Sequence, residues 1–383
     1  MIDPRFTRGE YALMDKQKEL FEQAIAAEES GHLVLASDLF KKCVSLDEMF
    51  SQGWLCYASV LMELKQWHKA IQAAEHVAND RSKNRSAIAL STIGQCHMEQ
   101  ESWDKAEEAF RKSLAVKEKV TTWVFLGFTL PMLGRDDEAI ESYKAALKIE
   151  PEYDEAHYNL GCRYRLRGDY KTAIAHFRRA IAADPKYAIA YAELGFALAQ
   201  PGADKNTLEE ARRELENSVE LDPDYGWSRI YLANILWRLG ENQSAQEQYD
   251  AAVRIWPNSE FAHLCFAQFL AATTKDRVRI KRHFQMAIKC DPNYAGAFYH
   301  FGGTLLNWNR RKEGEGYLRR AAKLGHKQAI ELLKGLGPYV TKQERWPSCP
   351  VCGSPWKQTG SWWCAECGKD MRSKNKKRPG AAF

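Results

Sequence analysis

Residues 154–187 read DEAHYNLGCRYRLRGDYKTAIAHFRRAIAADPKY, and this stretch decides the fold. Apolar residues recur at spacings of three and four in two runs, which are Leu160, Gly161 and Tyr164, then Ala173, Phe177 and Ala180. Gly168 separates the two runs, and Pro185 follows the second. This spacing is typical of amphipathic helices, and Gly and Pro are their usual stop signals. The stretch therefore predicts two short helices that fold back on each other.

The same pattern recurs about every 34 residues along most of the chain. We place the starts of nine successive repeats at Gln17, Ser51, Ala87, Val120, Asp154, Ala188, Gly226, Glu260 and Ala295. The eighth residue of each repeat is small, namely Ala24, Ala58, Gly94, Gly127, Gly161, Gly195, Ala233, Ala267 and Gly302. Two helices in a tight hairpin need small residues where they cross, because their backbones approach closely there.

This order of small residues, large residues and Pro at this period resembles the tetratricopeptide repeat. The resemblance implies an all-α fold, a right-handed superhelix of about nine helix pairs, over residues 17–336. Residues 1–16 then form an N-terminal segment, and a capping helix is expected near residues 328–334. Repeat arrays of this kind bind many unrelated proteins, so the resemblance indicates a mode of action without identifying a partner.

The composition narrows the class of protein further. No run of about 18 apolar residues is present, and the opening residues contain no signal-peptide core, so we expect a cytoplasmic protein without a membrane span. The net charge is +5, and from Thr341 onward nine Lys and Arg face three Asp and Glu. The repeats are therefore close to neutral, which argues against nucleic acid bound along their whole length.

Four of the ten cysteines form two C-x2-C-G knuckles separated by eleven residues. Cys349 and Cys352 belong to the first knuckle, and Cys364 and Cys367 belong to the second. Two knuckles at this separation predict one structural zinc ion held by four thiolates. We therefore predict a linker over residues 337–345 and a small zinc ribbon over residues 346–370. Metal binding is expected to supply much of the folding free energy of so short a segment.

A basic tail, residues 371–383, follows the second knuckle and is expected to be disordered. Its candidate nucleic-acid-binding residues are Arg372, Lys374, Lys376, Lys377 and Arg378. With Trp356, Trp362 and Trp363 nearby, the module offers aromatic stacking and phosphate contacts. In the alternative interpretation, the tryptophans pack the ribbon onto the repeats and the tail is solvated.

A repeat array followed by C-x2-C-G, a spacer and Trp-x-Cys-x-x-Cys is similar to the family of the bacterial lipopolysaccharide-assembly regulator LapB. In that family the metal module packs on the repeats and the protein adapts a client to a membrane protease. The resemblance implies that the same four cysteines are the metal ligands, with Trp362 in the Trp-x-Cys element. This chain departs from the family in its spacer and its basic tail.

The sequence contains no phosphate-binding loop, dinucleotide-binding turn or metalloprotease motif, so we expect a protein that is not an enzyme. The repeat register instead predicts a groove lined by the first helix of each repeat, suited to an amphipathic helix or an apolar peptide. Its predicted protein-binding residues are Val124, Phe128, Tyr158, Arg165, Ile189, Phe196, Trp227, Asn234, Trp237 and Arg238. The main hypothesis is a protein-binding scaffold or adaptor. The alternative is a regulator that binds DNA or RNA through the ribbon and tail, and the oligomeric state stays open.

Overall fold

A computed structural model of the protein describes residues 8–336, and it describes side chains from residue 13 onward. This part of the chain consists of helices joined by short loops, without a β-strand. The all-α expectation is therefore confirmed for residues 8–336. The chain divides into two compact units, Met1–Pro223 and Asp224–Phe383, and each is described by itself.

The described part of the first unit contains six helix pairs. In chain order its helices are α1 (Arg8–Glu29), α2 (Leu33–Leu46), α3 (Ser51–Glu63), α4 (Trp67–Glu75), α5 (Lys83–Glu99), α6 (Trp103–Val116), α7 (Val120–Thr129), α8 (Asp136–Ile149), α9 (Asp154–Leu166), α10 (Tyr170–Ala183), α11 (Ala188–Leu198) and α12 (Lys205–Leu221). A 3₁₀ turn, Leu130–Leu133, continues α7, because Pro131 removes a donor that the α-helix would need.

The described part of the second unit contains three further pairs and one final helix. In chain order these are α13 (Gly226–Leu239), α14 (Asn242–Ile255), α15 (Glu260–Thr273), α16 (Arg277–Cys290), α17 (Ala295–Asn307), α18 (Arg311–Lys323) and α19 (Lys327–Leu336). The helix α19 corresponds to the capping helix that the sequence indicates. It packs on α18.

Seven of the nine repeat starts coincide with the first residue of a helix, and two helices begin earlier than the pattern indicates. The helix α5 begins at Lys83, because the hydroxyl of Ser82 accepts a hydrogen bond from the backbone N–H of Arg85 and caps the helix there. The helix α1 begins at Arg8, and no Gly or Pro interrupts residues 10–16. Apolar periodicity thus locates the repeat, whereas capping residues set the helix end.

In five of the pairs a glycine of the first helix meets a large residue of the second helix. A Cβ atom placed on Gly161 would lie 2.6 Å from Cε1 of Phe177, closer than real side chains allow. Phe177 itself is fully buried. The same contact recurs between Gly94 and Phe110, Gly127 and Tyr143, Gly195 and Leu215, and Gly302 and Leu318.

The first helices of successive repeats also contact one another. In the first unit α9 contacts α7 and α11, and α5 contacts α3 and α7. In the second unit α15 contacts α13 and α17. The first helices from α3 to α11 therefore share one surface, as do those from α13 to α17, and residues at the same repeat position lie next to one another on it.

A buried and a half-buried histidine tie the fifth repeat together. Nε2 of His157 lies 2.9 Å from the carbonyl oxygen of Pro151, and its Nδ1 lies 3.0 Å from Nδ1 of His176. Because a carbonyl can only accept, His157 carries its proton on Nε2, and His176 donates from Nδ1. The ring of His157 is therefore neutral. Burial is the main cause that lowers the pKa of His176 to about 4, and His157, Arg179 and Lys144 lower it further.

The second unit repeats this arrangement. Nδ1 of His263 lies 3.0 Å from Nδ1 of His283, and its Nε2 lies 3.1 Å from the carbonyl oxygen of Pro257. Burial is again the main cause that lowers the pKa of His283 to about 4. His263, Arg279 and Arg282 lower it further, and Asp250 opposes them. Each pair links the loop before a first helix to the second helix of the same repeat.

We predict that Gly161→Ala and Gly303→Ala change stability in opposite directions. The new methyl group at position 161 overlaps Phe177 and should lower the free energy of unfolding by about 1–3 kcal/mol. Gly303 lies inside α17 with no atom within 4 Å of a Cβ position, so alanine should add about 0.5–1 kcal/mol. Urea unfolding followed by circular dichroism measures both. Equal changes in the free energy of unfolding would show that the contact between Gly161 and Phe177 leaves room for a methyl group, contrary to the prediction.

We also predict that stability falls as the pH drops from about 6.5 toward 4. A histidine with a lowered pKa stabilises the fold above its unfolded pKa of about 6.5, and below that the unfolded chain binds protons that the folded chain does not. His176→Gln/His283→Gln should weaken this pH dependence, whereas His32→Gln, at an exposed position, should leave it unchanged. Urea unfolding between pH 7.5 and 5 measures the slope. An identical slope in all three proteins would contradict the assignment.

Candidate protein-interaction face

Three residues at one repeat position define a surface on the first unit. Phe128, Cys162 and Phe196 lie on α7, α9 and α11 and are spaced 34 residues apart. These helices are neighbours, so the three side chains mark one continuous surface, which we name the first-helix face. Phe128 is 49% exposed, while Cys162 and Phe196 are half-buried. The first-helix face therefore presents an aromatic side chain to solvent.

Arg165 is fixed on this face by a buried carboxylate and an aromatic ring. Its Nε lies 2.8 Å from Oε2 of Glu193, and its guanidinium carbon lies 5.4 Å from the centroid of Phe196. Glu193 is only 9% exposed. Burial raises the pKa of Glu193, and the positive charge of Arg165 acts in the opposite direction. The pair holds the guanidinium in one place, so less entropy is lost when it binds a ligand.

Tyr158 and Cys162 lie beside this pair and shape the surface. Burial raises the pKa of the Cys162 thiol to about 11, and its partner Tyr158 hydrogen-bonds to it. A thiol with a raised pKa stays protonated near neutral pH and is a poor nucleophile. Tyr158 also packs against Tyr187, with ring centroids 5.1 Å apart. Both residues therefore support the face through packing.

Val124 and Ile189 contribute less surface than the register indicates. Val124 is only 5% exposed and lies in a core cluster with Ile140 and Tyr143, because its turn of α7 faces α8. It is therefore a core residue, and its prediction as a protein-binding residue is corrected. Ile189, in the first turn of α11, is half-buried.

In the second unit the predicted aromatic residues are partly used for packing. The ring of Trp227 lies 5.0 Å from Phe261 and 5.6 Å from Trp256, measured between centroids. Trp237 meets Phe269 edge to face at 5.8 Å. Both tryptophans are half-buried, so their removal would disturb the fold as well as the surface.

Asn234 has a structural partner, while Arg238 faces solvent. The hydroxyl of Tyr249 donates a hydrogen bond of 2.6 Å to the side-chain carbonyl of Asn234. The side chain of Asn234 also hydrogen-bonds to Cys265. Arg238, in the last turn of α13, is exposed. Asn234 therefore supports the second unit internally.

The register analysis missed a second line of residues, four positions beyond Phe128 and its equivalents. Residues four apart on a helix lie on the same side. In the first five repeats this line consists of Glu29, Glu63, Glu99, Met132 and Leu166, which we name the helix-end ridge, and the half-buried Gln200 holds the same position in the sixth repeat. All five are exposed, Met132 by 57% and Leu166 by 62%. The sequence alone could have identified this line, because each of these residues is the thirteenth of its repeat.

The remaining predicted sites lie outside the described residues. They are Cys349, Cys352, Cys364, Cys367, Arg372, Lys374, Lys376, Lys377 and Arg378. Zinc ligation and nucleic-acid binding by these residues therefore stay predictions. Within residues 8–336, no group of three or more His, Cys, Asp or Glu is placed to hold a metal ion. No helix in that part of the chain is long and apolar enough to cross a membrane.

Comparison with protein-family models supports the repeat interpretation. Residues 132–162 and 163–202 match a model described as TPR repeat, and residues 196–260 match one described as tetratricopeptide repeat. The matched segments together cover residues 132–260, which contain the helices α8 to α14. Together they support tetratricopeptide repeats over residues 132–260, and arrays of such repeats provide extended binding surfaces.

Curated relatives share only part of their length with this chain. The BBSome complex member BBS4 of Bos taurus is 26% identical over 154 residues, which are 40% of this chain and 29% of that protein. The protein O-mannosyl-transferase TMTC1 of Mus musculus is 30% identical over 137 residues, or 34% of this chain and 14% of that protein. The chain thus spans less than a third of the relatives that it matches.

Among solved structures, a monomeric mutant of IFIT1 with Gppp-AAAA is similar with a TM-score of 0.50 and 15% identity. The match covers 79% of each chain. At this identity the similarity concerns the fold alone. It agrees with the helical repeat architecture.

Proposed function

We propose that this protein is a non-enzymatic scaffold that binds a segment of another protein on the first-helix face of its first unit. The observation that carries the proposal is the exposed Phe128 on the same face as the guanidinium of Arg165, which Glu193 holds in place. Aromatic and Arg side chains are enriched among the residues that contribute most binding free energy at protein interfaces. Met132 extends the apolar surface.

Catalysis is not part of this proposal. The cysteine on the face, Cys162, has a raised pKa, and the buried histidines bond to each other and to backbone carbonyls. Neither pattern provides an activated nucleophile or an available general base. The mannosyl-transferase relative shares only 14% of its length with this chain, so its activity is not carried over.

The nucleic-acid alternative is less favoured for the described residues. A nucleic-acid-binding surface needs clustered Lys and Arg, whereas the helix-end ridge carries three exposed glutamates. That alternative therefore depends on the residues after 341. Nuclease treatment of the purified protein and removal of residues 371–383 distinguish the two functions, because a protein partner should survive both.

We predict that Phe128→Ser/Met132→Ser weakens binding of the native protein partner about tenfold or more, because it removes the apolar anchors of the face. The matched control is Val34→Ser/Leu35→Ser, which changes two exposed apolar residues of α2. Quantitative mass spectrometry of proteins that co-purify with each tagged variant measures the effect. Equal losses from both variants, or none from the first, would refute the proposal. Urea unfolding verifies that both variants are folded.

We further propose that Cys349, Cys352, Cys364 and Cys367 bind one zinc ion per chain. The expected ion is structural, because four thiolates leave no coordination position for substrate. Cys352→Ser should abolish stoichiometric zinc and leave the helical circular dichroism nearly unchanged, since the repeats have their own core. Metal analysis of the purified protein provides the test. A wild-type protein without zinc, or with iron and a visible absorption band, would disprove this assignment.

A further inference from the structure

The three glutamates of the helix-end ridge occupy positions that cost stability. Glu29, Glu63 and Glu99 are the last residues of α1, α3 and α5. The end of a helix carries a partial negative charge, so an acidic residue there is destabilising by about 0.3–1 kcal/mol. Lys or Arg would be favoured at each position. The placement recurs in three successive repeats and is opposite to what helix stability prefers.

The glutamates are also uncompensated within the described part of the chain. Acids of the second helices form ion pairs between repeats, such as Glu107 with Arg135 at 2.6 Å. Among residues 13–336, none of the ion pairs includes Glu29, Glu63 or Glu99.

The negative charge is dense enough to affect a neighbouring residue. Burial raises the pKa of Glu28, and the charges of Glu63 and Glu29 raise it further. This places the ends of α1 and α3 close together in one negative region. A cation from outside the described chain would relieve the repulsion.

The helix-end ridge changes from acidic to apolar residues along the first unit. Its first three residues are acidic, and the next two, Met132 and Leu166, are exposed and apolar. The surface is therefore acidic over the first three repeats and apolar over the next two. A ligand with basic residues at one end and apolar residues at the other would be complementary to both parts of this surface.

From this order we infer that the ridge binds a protein segment of defined polarity, with Lys and Arg residues at one end and large apolar residues at the other. The basic end lies over α1, α3 and α5, and the apolar end lies over Met132 and Leu166. This inference rests on the proposed scaffold function and adds the chemistry and the direction of the bound segment. Nucleic acid does not fit, because its phosphates would face the glutamates.

The test uses the full-length protein and a fluorescein-labelled synthetic peptide with a Lys/Arg-rich half and a Leu/Phe-rich half. Glu63→Gln/Glu99→Gln should weaken binding about tenfold, because two charge contacts of about 0.5–1 kcal/mol each are lost. The same variant should melt at a higher temperature than wild type, since it removes unfavourable charge from two helix ends. A purely structural role for these glutamates would give the opposite change in melting temperature.

The matched control is Glu48→Gln/Glu118→Gln, which changes the same charge in exposed loops outside the helices. It should alter neither affinity nor melting temperature. A photo-crosslinker at the basic end of the peptide should label α1 or α3, and one at the apolar end should label α9. Unchanged affinity in Glu63→Gln/Glu99→Gln, or reversed crosslinks, overturns the inference. The inference is also overturned if a peptide whose Leu and Phe are replaced by Ser binds with the same affinity as the original peptide.

Two further results separate the inference from the proposed function. One such result is that Phe128→Ser/Met132→Ser loses the peptide while Glu63→Gln/Glu99→Gln retains it. In that case the surface binds through its apolar residues, and only the inference that the glutamates bind a basic end fails. If neither variant changes binding of the peptide or of the native partner, the proposed function fails as well. If removal of residues 371–383 tightens peptide binding tenfold or more, the basic tail of the chain itself is the occupant, and the inference of an external partner fails.

Discussion

The close crossing of two helices within each repeat is the contact on which the rest of the structure depends. In five of the pairs a glycine at the crossing admits the ring or branched side chain of the partner helix, as Gly161 admits Phe177. This contact sets the distance and angle of the pair. Because the pairs are nearly identical, their first helices come together and share a surface. The position of Phe128, Arg165 and the helix-end ridge follows from that repetition.

Stability and binding place different demands on the two helices of a pair. The second helices carry acids and bases that pair between repeats, as Glu107 does with Arg135. The first helices of the first unit end in glutamates that the helix itself disfavours. Proteins commonly retain such unfavourable positions where activity requires them. These three unfavourable helix ends are the physical reason to assign function to the helix-end ridge.

Buried polar groups in this protein serve the fold. In the two histidine pairs the rings hydrogen-bond to each other and to a carbonyl group, one pair in each unit. Asn234 likewise accepts from the buried Tyr249. Such residues look like candidates for chemistry in a sequence, yet in the structure their donors and acceptors are engaged. The groups that remain available to a ligand are on the surface.

The sequence by itself determined the helix pairs, their period and most of their starting residues. This was possible because small, large and helix-stopping residues recur at fixed spacing, and each reports a local steric requirement. It also predicted a binding groove lined by the first helix of each pair, which stays a prediction, and Phe128 is exposed on such a helix. The tertiary structure decided how much of each side chain stays exposed. Val124 is buried by α8, and Trp227 packs against Trp256 and Phe261, because burial depends on neighbours that are distant in sequence.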